Sequence, residues 1–529
     1  MTDYQSGSEF FYLFSTRFLR EASAHTLTQV RRNKSYSFLC LTFGPLLRHF
    51  QTMAPNETTV GCRLVNGRWL YLDSTDAPPK YLSRPPFLVR YDTGIIRTTS
   101  ERYERTGWLD DVDDISPLDE IDCEGMSVMP GMIDSHVHVT ASSADLRKPA
   151  FMTPSLLYAR SVPILEGMLM RGFTTVRDCG GADHGLAAAT EEGTLRGPRI
   201  IYCGKALSQT GGHGDFRAAA ENQLPFGSCR CCNFTIGRVC DGVTACREAV
   251  RDEVRKGCSH IKIMASGGVA SPTDRLENLQ FSEDELRAIV NEASNANIYC
   301  AAHAYTDEAV SRAVRCGVRS IEHGNFAHRN TLAAMSMMNV FLVPTLITYD
   351  RLTKEGVAGG MPQELVDKVG NLVEEGQKTV KEATDRNVRV CYGSDLLGDM
   401  HKWQAHGIDL HLRAGVSNSD LLKSLVCHPN TMIWGEEGYN DPRKNAPPPG
   451  NKYVGCRADL LVVKGDVAKD PRLLMDPENI KVIIKNGKIV KNELGLKNRE
   501  QTDDSRPDGK DQTVEAKNGQ PKKPKRARR

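Results

Sequence analysis

The sequence predicts an α/β protein whose main domain is a (β/α)8 TIM-like barrel. Short apolar strands alternate with amphipathic helical stretches through the middle of the chain, and side chains suited to catalysis stand at the ends of those strands. Eight strand–helix units over roughly 300 residues match the size of such a barrel. A doubly wound open sheet is the alternative, but no glycine-rich dinucleotide fingerprint follows the first strand.

The predicted barrel covers residues 129–446. Its eight strands are read, in order, from GMIDSHVHV, FTTVRDCG, RIIYCG, HIKIMASGG, IYCAAHA, SIEHG, FLVPTL and VRVCYGSD. Between them lie helical patterns such as SEDELRAIVNEASNAN, where Ser282 is the expected N-cap and Glu285 follows three residues later. Each helical pattern ends near a glycine or asparagine, as helices commonly do.

Two β-rich segments, residues 57–128 and 447–495, flank the barrel and predict one small β-sandwich domain assembled from both. The sequence KNGK, Lys485 to Lys488, carries the Asn-Gly signal of a tight hairpin turn. Residues 1–56 are read as a disordered extension with Met53 as a plausible true start, and their excess of arginine keeps a mitochondrial presequence open. Residues 496–529 are read as a disordered basic tail, with a nuclear-import signal as the weaker interpretation.

Composition limits the function classes. The 529 residues include 25% charged side chains and carry a net charge of +2, which gives no electrostatic case for nucleic acid or a membrane surface as partner. No run reaches the ~18 apolar residues of a membrane-spanning helix. The 16 cysteines are scattered through a long chain, which favours a reducing, cytoplasmic location over a disulfide framework.

Six side chains at or near the carboxyl ends of five predicted strands suggest one site. His136 and His138 alternate along the first strand and therefore share a face. The others are Lys262 on the fourth strand, His303 on the fifth, His323 on the sixth and Asp395 after the eighth. Each alone has an ordinary structural explanation, such as a helix cap for Asp395. Together they occupy the places where this fold puts chemistry.

Neutral imidazole and carboxylate are ligands for Zn²⁺ or a similar divalent ion, whose bound water can ionise near neutral pH. A neutral lysine bridges two cations poorly, whereas carbon dioxide addition to its amine gives an anionic group with two oxygens. The residue set therefore indicates a metal-dependent hydrolase. Zn²⁺, Mn²⁺ and Co²⁺ all remain open.

The motifs HVH, IKIM, AAHA, IEHG and YGSD resemble the amidohydrolase superfamily with a binuclear metal centre. The blocks IKIMASGGVASPTD and LSQTGGHGD are similar to the branch with fungal ochratoxinase, zinc-dependent Xaa-Pro dipeptidases and arginine carboxypeptidases. The resemblance covers about Thr58 to Glu493. It implies two divalent ions, most simply Zn²⁺, with His136, His138 and Asp395 on the first, His303 and His323 on the second, and carbamylated Lys262 between them.

The resemblance also implies a reaction, in which a metal-bridging hydroxide attacks the carbonyl of a carbon–nitrogen amide bond. Asp395 would take the proton of the attacking water and deliver it to the leaving nitrogen. His213, in the glycine-rich loop QTGGHGD, would contact the substrate. The implied substrates are an N-acyl amino acid, a dipeptide or an ochratoxin-like amide, and relatives commonly form homo-oligomers.

Two alternatives remain open from the sequence. A mononuclear aminohydrolase or cyclic imidazolone hydrolase would not need a bridging lysine, and a scaffold protein on the same fold would be expected to lack metal ligands. Three histidines five residues apart, His401, His406 and His411, are interpreted as solvated helix residues. Cys229, Cys231, Cys232 and Cys240 do not form paired CxxC motifs and are read as free thiols.

Overall fold

The protein is described by a computed structural model covering residues 61–72, 79–82, 87–91, 96–98, 119–217, 236–435 and 456–498. The strands in chain order are β1 Gly61–Val65, β2 Arg68–Tyr71, β3 Lys80–Leu82, β4 Phe87–Arg90, β5 Ile96–Thr98, β6 Asp119–Asp122, β7 Ser127–Pro130, β8 Met132–Val137, β9 Phe173–Asp178, β10 Arg199–Tyr202, β11 Ala206–Ser208, β12 Gly237–Val239, β13 His260–Met264, β14 Tyr299–Thr306, β15 Ser320–Phe326, β16 Phe341–Val343, β17 Leu460–Val463, β18 Ile480–Lys485, β19 Lys488–Asn492 and β20 Lys497–Asn498.

The α-helices follow most of the barrel strands and cover their outer face. In chain order they are α1 Pro154–Met170, α2 His184–Glu192, α3 Gly242–Arg255, α4 Glu283–Asn295, α5 Asp307–Arg315, α6 Arg329–Met337, α7 Leu346–Glu355, α8 Gln363–Asp367, α9 Leu372–Asp385, α10 Gly407–Arg413, α11 Asn418–Leu425 and α12 Cys427–Trp434. The expected capping box of α4 is present, since Ser282 and Glu285 each bind the other's backbone N–H.

The (β/α)8 barrel is confirmed. Its parallel strands form the runs β10-β9-β8 and β12-β11-β13-β14-β15-β16. A hydrogen bond from Ser259 N to the Tyr202 carbonyl joins β10 to the beginning of β13. β10 and β11 together fill the place of the third strand, and the short β12 pairs with β11.

The eighth strand position is occupied by an irregular segment, residues 389–395. It pairs with β16 only at the bridge between Leu342 and Val390. On its other side, the Tyr392 carbonyl accepts from Ser135 N at 2.7 Å, and Asp395 N donates to the His136 carbonyl at 2.8 Å. The ladder ends early because Asp395 adopts a left-handed backbone, with φ of 51°. The segment closes the barrel while turning Asp395 toward the first strand.

The small β-sandwich domain is also confirmed, with strands from both sides of the barrel. One sheet has the order β20-β6-β1-β4-β5 and the other the order β19-β18-β17-β7-β2-β3. Apolar residues between them, including Leu64, Trp69 and Val482, form a core separate from that of the barrel. The Asn-Gly hairpin joins β18 to β19, with Asn486 at φ 50° and Gly487 at φ 75°. The exact domain boundaries stay a prediction.

A buried ion pair joins the barrel to the sandwich. Arg199 of β10 donates to Asp459 at 2.5 Å, and both side chains are almost fully buried. Lys485 of β18 donates to the Thr190 carbonyl of α2 at 2.6 Å. Burial lowers the pKa of this lysine to about 8. The two domains therefore share polar groups that are cut off from water.

Several sequence predictions fall on parts of the chain that are not described. Residues 1–56, most of the tail 496–529, and Cys229, Cys231 and Cys232 lie outside the described residues. Among the described residues, Cys240 is a buried free thiol, as predicted. Across the same residues, no helix is both long and apolar enough to cross a membrane.

The prediction of solvated histidines was wrong for two of the three. His401 is buried, and its Nε2 lies 3.2 Å from the Ala141 carbonyl. His411 is 1% exposed and packs beside Tyr392. The helical turns after Asp395 lie over the barrel wall instead of projecting into solvent. The five-residue spacing of the histidines therefore did not predict whether their side chains are exposed.

Candidate metal centre

The barrel strands bring all six predicted ligands to one cavity that opens to solvent. Its polar lining contains the predicted ligands and the predicted substrate contact: His136, His138, Lys262, His303, His323, Asp395 and His213. Strand alternation along β8 places the rings of His136 and His138 with centroids 5.4 Å apart. The ring of His323 lies 5.1 Å from His136 and 4.6 Å from His303.

Hydrogen bonds orient the first two histidines. Nδ1 of His136 lies 2.8 Å from Glu322 Oε2, and Nδ1 of His138 lies 2.8 Å from the Gly180 carbonyl oxygen. Because carboxylate and carbonyl oxygens only accept, each ring donates its Nδ1–H. In the neutral form of each ring, Nε2 therefore keeps its lone pair, which is the arrangement that a metal ligand needs.

The other two histidines are also held by hydrogen bonds, but different ring nitrogens carry the proton. His303 Nε2 lies 3.0 Å from the Gly267 carbonyl and is its donor, so Nδ1 keeps the lone pair. His323 Nδ1 lies 2.8 Å from both the Tyr349 hydroxyl and Thr345 Oγ1. Since the Tyr349 hydroxyl donates to Tyr305, it accepts from His323, whose Nε2 is then free. In the neutral form of each of the four rings, one nitrogen donates a hydrogen bond to the protein and the other carries a lone pair that is available to a metal ion.

Asp395 and Lys262 lie beside these available nitrogens. Oδ1 of Asp395 is 3.3 Å from His138 Nε2 and 3.5 Å from His136 Nε2. Lys262 is 1% exposed, and its Nζ lies 3.5 Å from His136 Nε2. Donor atoms of His136, His323 and Asp395 all lie within 4.8 Å of one another, close enough to hold one ion.

Three side chains of the site sit on backbone in the left-handed region. The φ angles are 72° at His323, 45° at Thr345 and 51° at Asp395, at the carboxyl ends of three successive barrel strands. Such a conformation costs a residue with a side chain about 1–3 kcal/mol. At His323 it breaks the alternation of β15, so that Glu322 and His323, neighbours in the chain, both reach the same site.

Burial and charge shift the protonation of the cluster. Burial lowers the pKa of His136, His303 and His323 well below the usual imidazole range, so these rings are neutral. Burial would also raise the pKa of Asp395, but the neighbouring His136 and His138 outweigh it and lower the pKa. At His138, burial would lower the pKa, but the hydrogen bond to Asp395 and its charge outweigh burial and raise that pKa. The three neutral imidazoles and the ionised carboxylate are in the forms that bind a divalent cation.

Glu322 and Arg177 were missed by the sequence reasoning. Arg177 of β9 is fully buried and donates to both carboxylate oxygens of Glu322, at 2.7 and 2.8 Å. Burial would raise the pKa of Glu322, but the guanidinium outweighs it and lowers that pKa. A signal was present, since arginine in TTVRD and glutamate in SIEHG are charged residues within apolar strands, as Lys262 is.

His213 lies in the site, held by the loop that follows β13. Its ring stacks on His303 with centroids 4.2 Å apart. Nδ1 lies 2.7 Å from Ser271 Oγ, and Ser271 in turn donates to Asp274. The serine oxygen therefore accepts the Nδ1–H, and Nε2 of His213 keeps its lone pair. Burial lowers the pKa of this histidine to about 4.

A lysine side chain holds the loop after β13 in place. Lys368, after α8, donates to the carbonyls of Ser271 and Asp274 at 2.8 Å each. Gln280 accepts from His213 N at 2.9 Å and donates to Asp274 at 2.9 Å. The loops after β11 and β13 and the segment after α8 are thereby tied together around His213.

The residues present fit a metal centre by the chemistry of their donors. Four imidazole nitrogens with available lone pairs, one carboxylate and one lysine amine meet at a single cavity. Nitrogen and oxygen donors of this kind suit Zn²⁺ and similar divalent ions. The ligand role of each residue stays a prediction.

A histidine–aspartate cluster lies at the carboxyl ends of the strands of this (β/α)8 barrel, which is where TIM-barrel enzymes carry their active sites. The model of the amidohydrolase family matches residues 127–426. Because this match spans more than half of the chain, the protein belongs to the amidohydrolase family. It is a hydrolase that acts on carbon–nitrogen bonds.

Named relatives agree with this assignment. Ochratoxinase from Aspergillus niger is 27% identical over 376 residues, which are 69% of this chain and 75% of the relative. A prolidase crystal structure complexed with N-methylphosphonate-L-proline is 41% identical, with a TM-score of 0.73, covering 82% of this chain and 100% of that one. The crystal structure of A. niger ochratoxinase, at 23% identity and a TM-score of 0.66, shares the fold and covers 84% of this chain and 99% of that one.

Proposed function

We propose that this protein is a binuclear metal-dependent amidohydrolase that cleaves the amide bond of a dipeptide, an N-acyl amino acid or an ochratoxin-like amide. One observation carries the proposal: four imidazoles with available nitrogens, Asp395 and a fully buried lysine line the same cavity. His136, His138 and Asp395 would hold the first ion, and His303 and His323 the second. The amine of Lys262 would add carbon dioxide, with loss of one proton, and its two oxygens would bridge them.

Two Zn²⁺ ions, when bound, supply Lewis-acid polarisation of the substrate carbonyl and a water with a pKa near neutrality. Asp395 is placed to act as the base, because its carboxylate is ionised and held against His138 at 3.3 Å. It accepts the proton of the attacking water and delivers it to the leaving nitrogen, which departs as a neutral amine.

The rest of the cavity favours a substrate with an uncharged group beside the scissile bond. Its apolar wall suits an uncharged acyl or side-chain group and consists of Leu146, Phe216, Ile236, Met264, Val269, Ala270, Leu352 and Leu397. His213 presents Nε2 as a hydrogen-bond acceptor, or as a donor to a carboxylate once protonated. The prolidase at 41% identity was crystallised with N-methylphosphonate-L-proline, a proline derivative, which supports substrates that contain an amino acid.

A substrate screen tests the proposal. The purified chain, loaded separately with Zn²⁺, Mn²⁺ or Co²⁺, is assayed against dipeptides, N-acyl amino acids and ochratoxin-like amides, with Asp395→Asn as the inactive control. We expect release of a free amino acid from at least one group and two ions per chain. One ion, unaffected by Lys262→Ala, would instead indicate a mononuclear hydrolase. No hydrolysis of any amide by the two-ion protein would contradict the proposed function.

A further inference from the structure

We propose that Glu322, clamped by Arg177, is a positioning residue that fixes the tautomer of His136 and so sets the affinity of the first metal position. The inference rests on the proposed two-metal function and assigns a task to two residues that are not themselves ligands. It predicts that the two metal positions differ in their dependence on one buried carboxylate.

The hydrogen bonds of Glu322 are complete. Oε1 accepts from Arg177 at 2.7 Å and from the Ser320 hydroxyl at 2.7 Å. Oε2 accepts from Arg177 at 2.8 Å and lies 2.8 Å from His136 Nδ1. Arg177 Nη2 and the Ser320 hydroxyl already donate three hydrogen bonds to the carboxylate, which is therefore ionised, and His136 Nδ1 donates the fourth. The other tautomer of His136 would carry its lone pair on Nδ1 and place it against a negative charge. The ring is therefore held in the tautomer with the proton on Nδ1.

Arg177 is held as tightly as its partner. Its Nε donates to the Ser135 carbonyl at 2.6 Å, and one terminal nitrogen donates to Ser320 Oγ at 3.0 Å. The guanidinium thus spans β8, β9 and β15 inside the barrel, and both charged side chains are 0% exposed. The carboxylate has no room to swing away from His136.

A contribution to stability does not by itself explain why the barrel interior contains the Arg177–Glu322 ion pair. A buried ion pair pays a desolvation cost that usually cancels its attraction, and apolar residues of similar volume often do as well. A carboxylate on the second nitrogen of a ligating imidazole, by contrast, orients the ring and makes the metal-binding nitrogen more basic. The geometry directs that effect to His136, whereas His138 is bonded to an uncharged carbonyl.

The backbone couples Glu322 to the second metal position as well. Glu322 precedes His323, and the left-handed φ of 72° at His323 lets both side chains reach the site. The direct hydrogen bond, however, goes to His136 and not to His323, whose Nδ1 is bonded to Tyr349 and Thr345. We therefore expect loss of the carboxylate to weaken the first position and to spare the second.

Zinc titration of the metal-free full chain by calorimetry tests this without reference to activity. We expect two high-affinity sites in the native protein and a 10–100-fold weaker affinity at one of them in Glu322→Gln, the usual effect of losing such a partner. Asp459→Asn is the matched control, because Asp459 is a buried carboxylate paired with Arg199 away from the cavity. It should lower thermal stability and leave both affinities unchanged.

A second readout follows the tautomer itself. In metal-free protein, the His136 Nδ1–H bonded to a carboxylate should give a downfield proton resonance that disappears or shifts upfield in Glu322→Gln and persists in Asp459→Asn. If Glu322→Gln does not fold, Arg177→Met/Glu322→Gln removes both buried charges and should fold while showing the same loss of affinity.

Native zinc affinities at both sites in the folded Glu322→Gln or double variant would overturn the inference, as would an equal loss in Asp459→Asn. A native protein that binds no zinc would contradict both the inference and the proposed function. Two bound zinc ions with the expected variant pattern but no amide hydrolysis would contradict the proposed function alone.

Discussion

Nζ of Lys262 lies 3.5 Å from Nε2 of His136, inside a barrel strand whose residues are all buried. This contact involves the only lysine among the cavity's described lining residues, and the proposed two-ion centre needs a bridging ligand at that position. We expect Lys262→Ala to reduce the zinc content from two ions per chain to one or none. Hydrolysis should fall by more than ~10²-fold, since losing even an indirect metal partner costs about 10–100-fold.

Metal analysis and amidase assays on the purified variant check this expectation. Lys485→Ala is the control, because Lys485 is also buried but bonds to Thr190 at the sandwich side of the barrel. Two zinc ions and full activity in Lys262→Ala would rule out a bridging role.

Asp395→Asn should separate chemistry from folding. Asparagine tolerates the left-handed backbone at this position, so the turn should persist. Asparagine cannot accept a proton, and we expect kcat to fall by roughly 10²–10⁴-fold, the usual contribution of a general base. Steady-state kinetics, with circular dichroism as the folding control, measure this. A kcat within a few-fold of native would assign the proton transfer to another group.

Lys368→Met should affect substrate binding more than turnover. The variant releases the loop after β13 that holds His213, and loses hydrogen bonds worth about 1 kcal/mol each. We expect KM to rise by roughly fivefold per lost bond, with a smaller change in kcat. Lys378→Met is the matched control, because Lys378 is exposed and bonds only to Glu375 among the described residues. Equal effects of both variants on KM would contradict a role for the loop.

His411 should make the fold sensitive to acid. Burial lowers its pKa to about 4, whereas the unfolded chain binds the proton near 6.5. Between these values the unfolded state holds more protons, so the free energy of unfolding falls as the pH drops from 6.5 to 4, by up to about 3 kcal/mol.

Denaturant unfolding across this pH range provides the measurement. His411→Leu should flatten the slope by one proton. Parallel slopes for the native protein and His411→Leu would show that the ring is protonated inside the fold.

The parts of the site that the sequence predicted share one property. His136, His138, His303, His323 and Asp395 each follow an apolar strand, so strand periodicity and the barrel rule locate them without coordinates. Glu322 and Arg177 also stand in apolar strands, but their partnership spans 145 residues and depends on which strands face each other across the barrel. The sequence pattern alone does not show that these two side chains are in contact.

Irregular segments limited the prediction in another way. The segment 389–395 makes few ladder bonds because Ser394 N donates to the Asp134 side chain and Asp395 turns left-handed. His401 and His411 follow it in short helical turns whose buried face five-residue spacing could not identify. Tertiary contacts decided these positions.

The Arg199–Asp459 pair has a consequence for how the chain can be divided. A barrel cut free of residues 456–498 would lose the Asp459 carboxylate and leave the buried Arg199 guanidinium with the half-buried Glu191, 3.2 Å away, as a remaining partner. Removing one partner of a buried ion pair costs up to about 3–5 kcal/mol. Such a loss is a large share of the roughly 5–15 kcal/mol by which folded domains are stable. We therefore expect a barrel grafted onto another protein without the flanking sheets to be less stable than one that carries them.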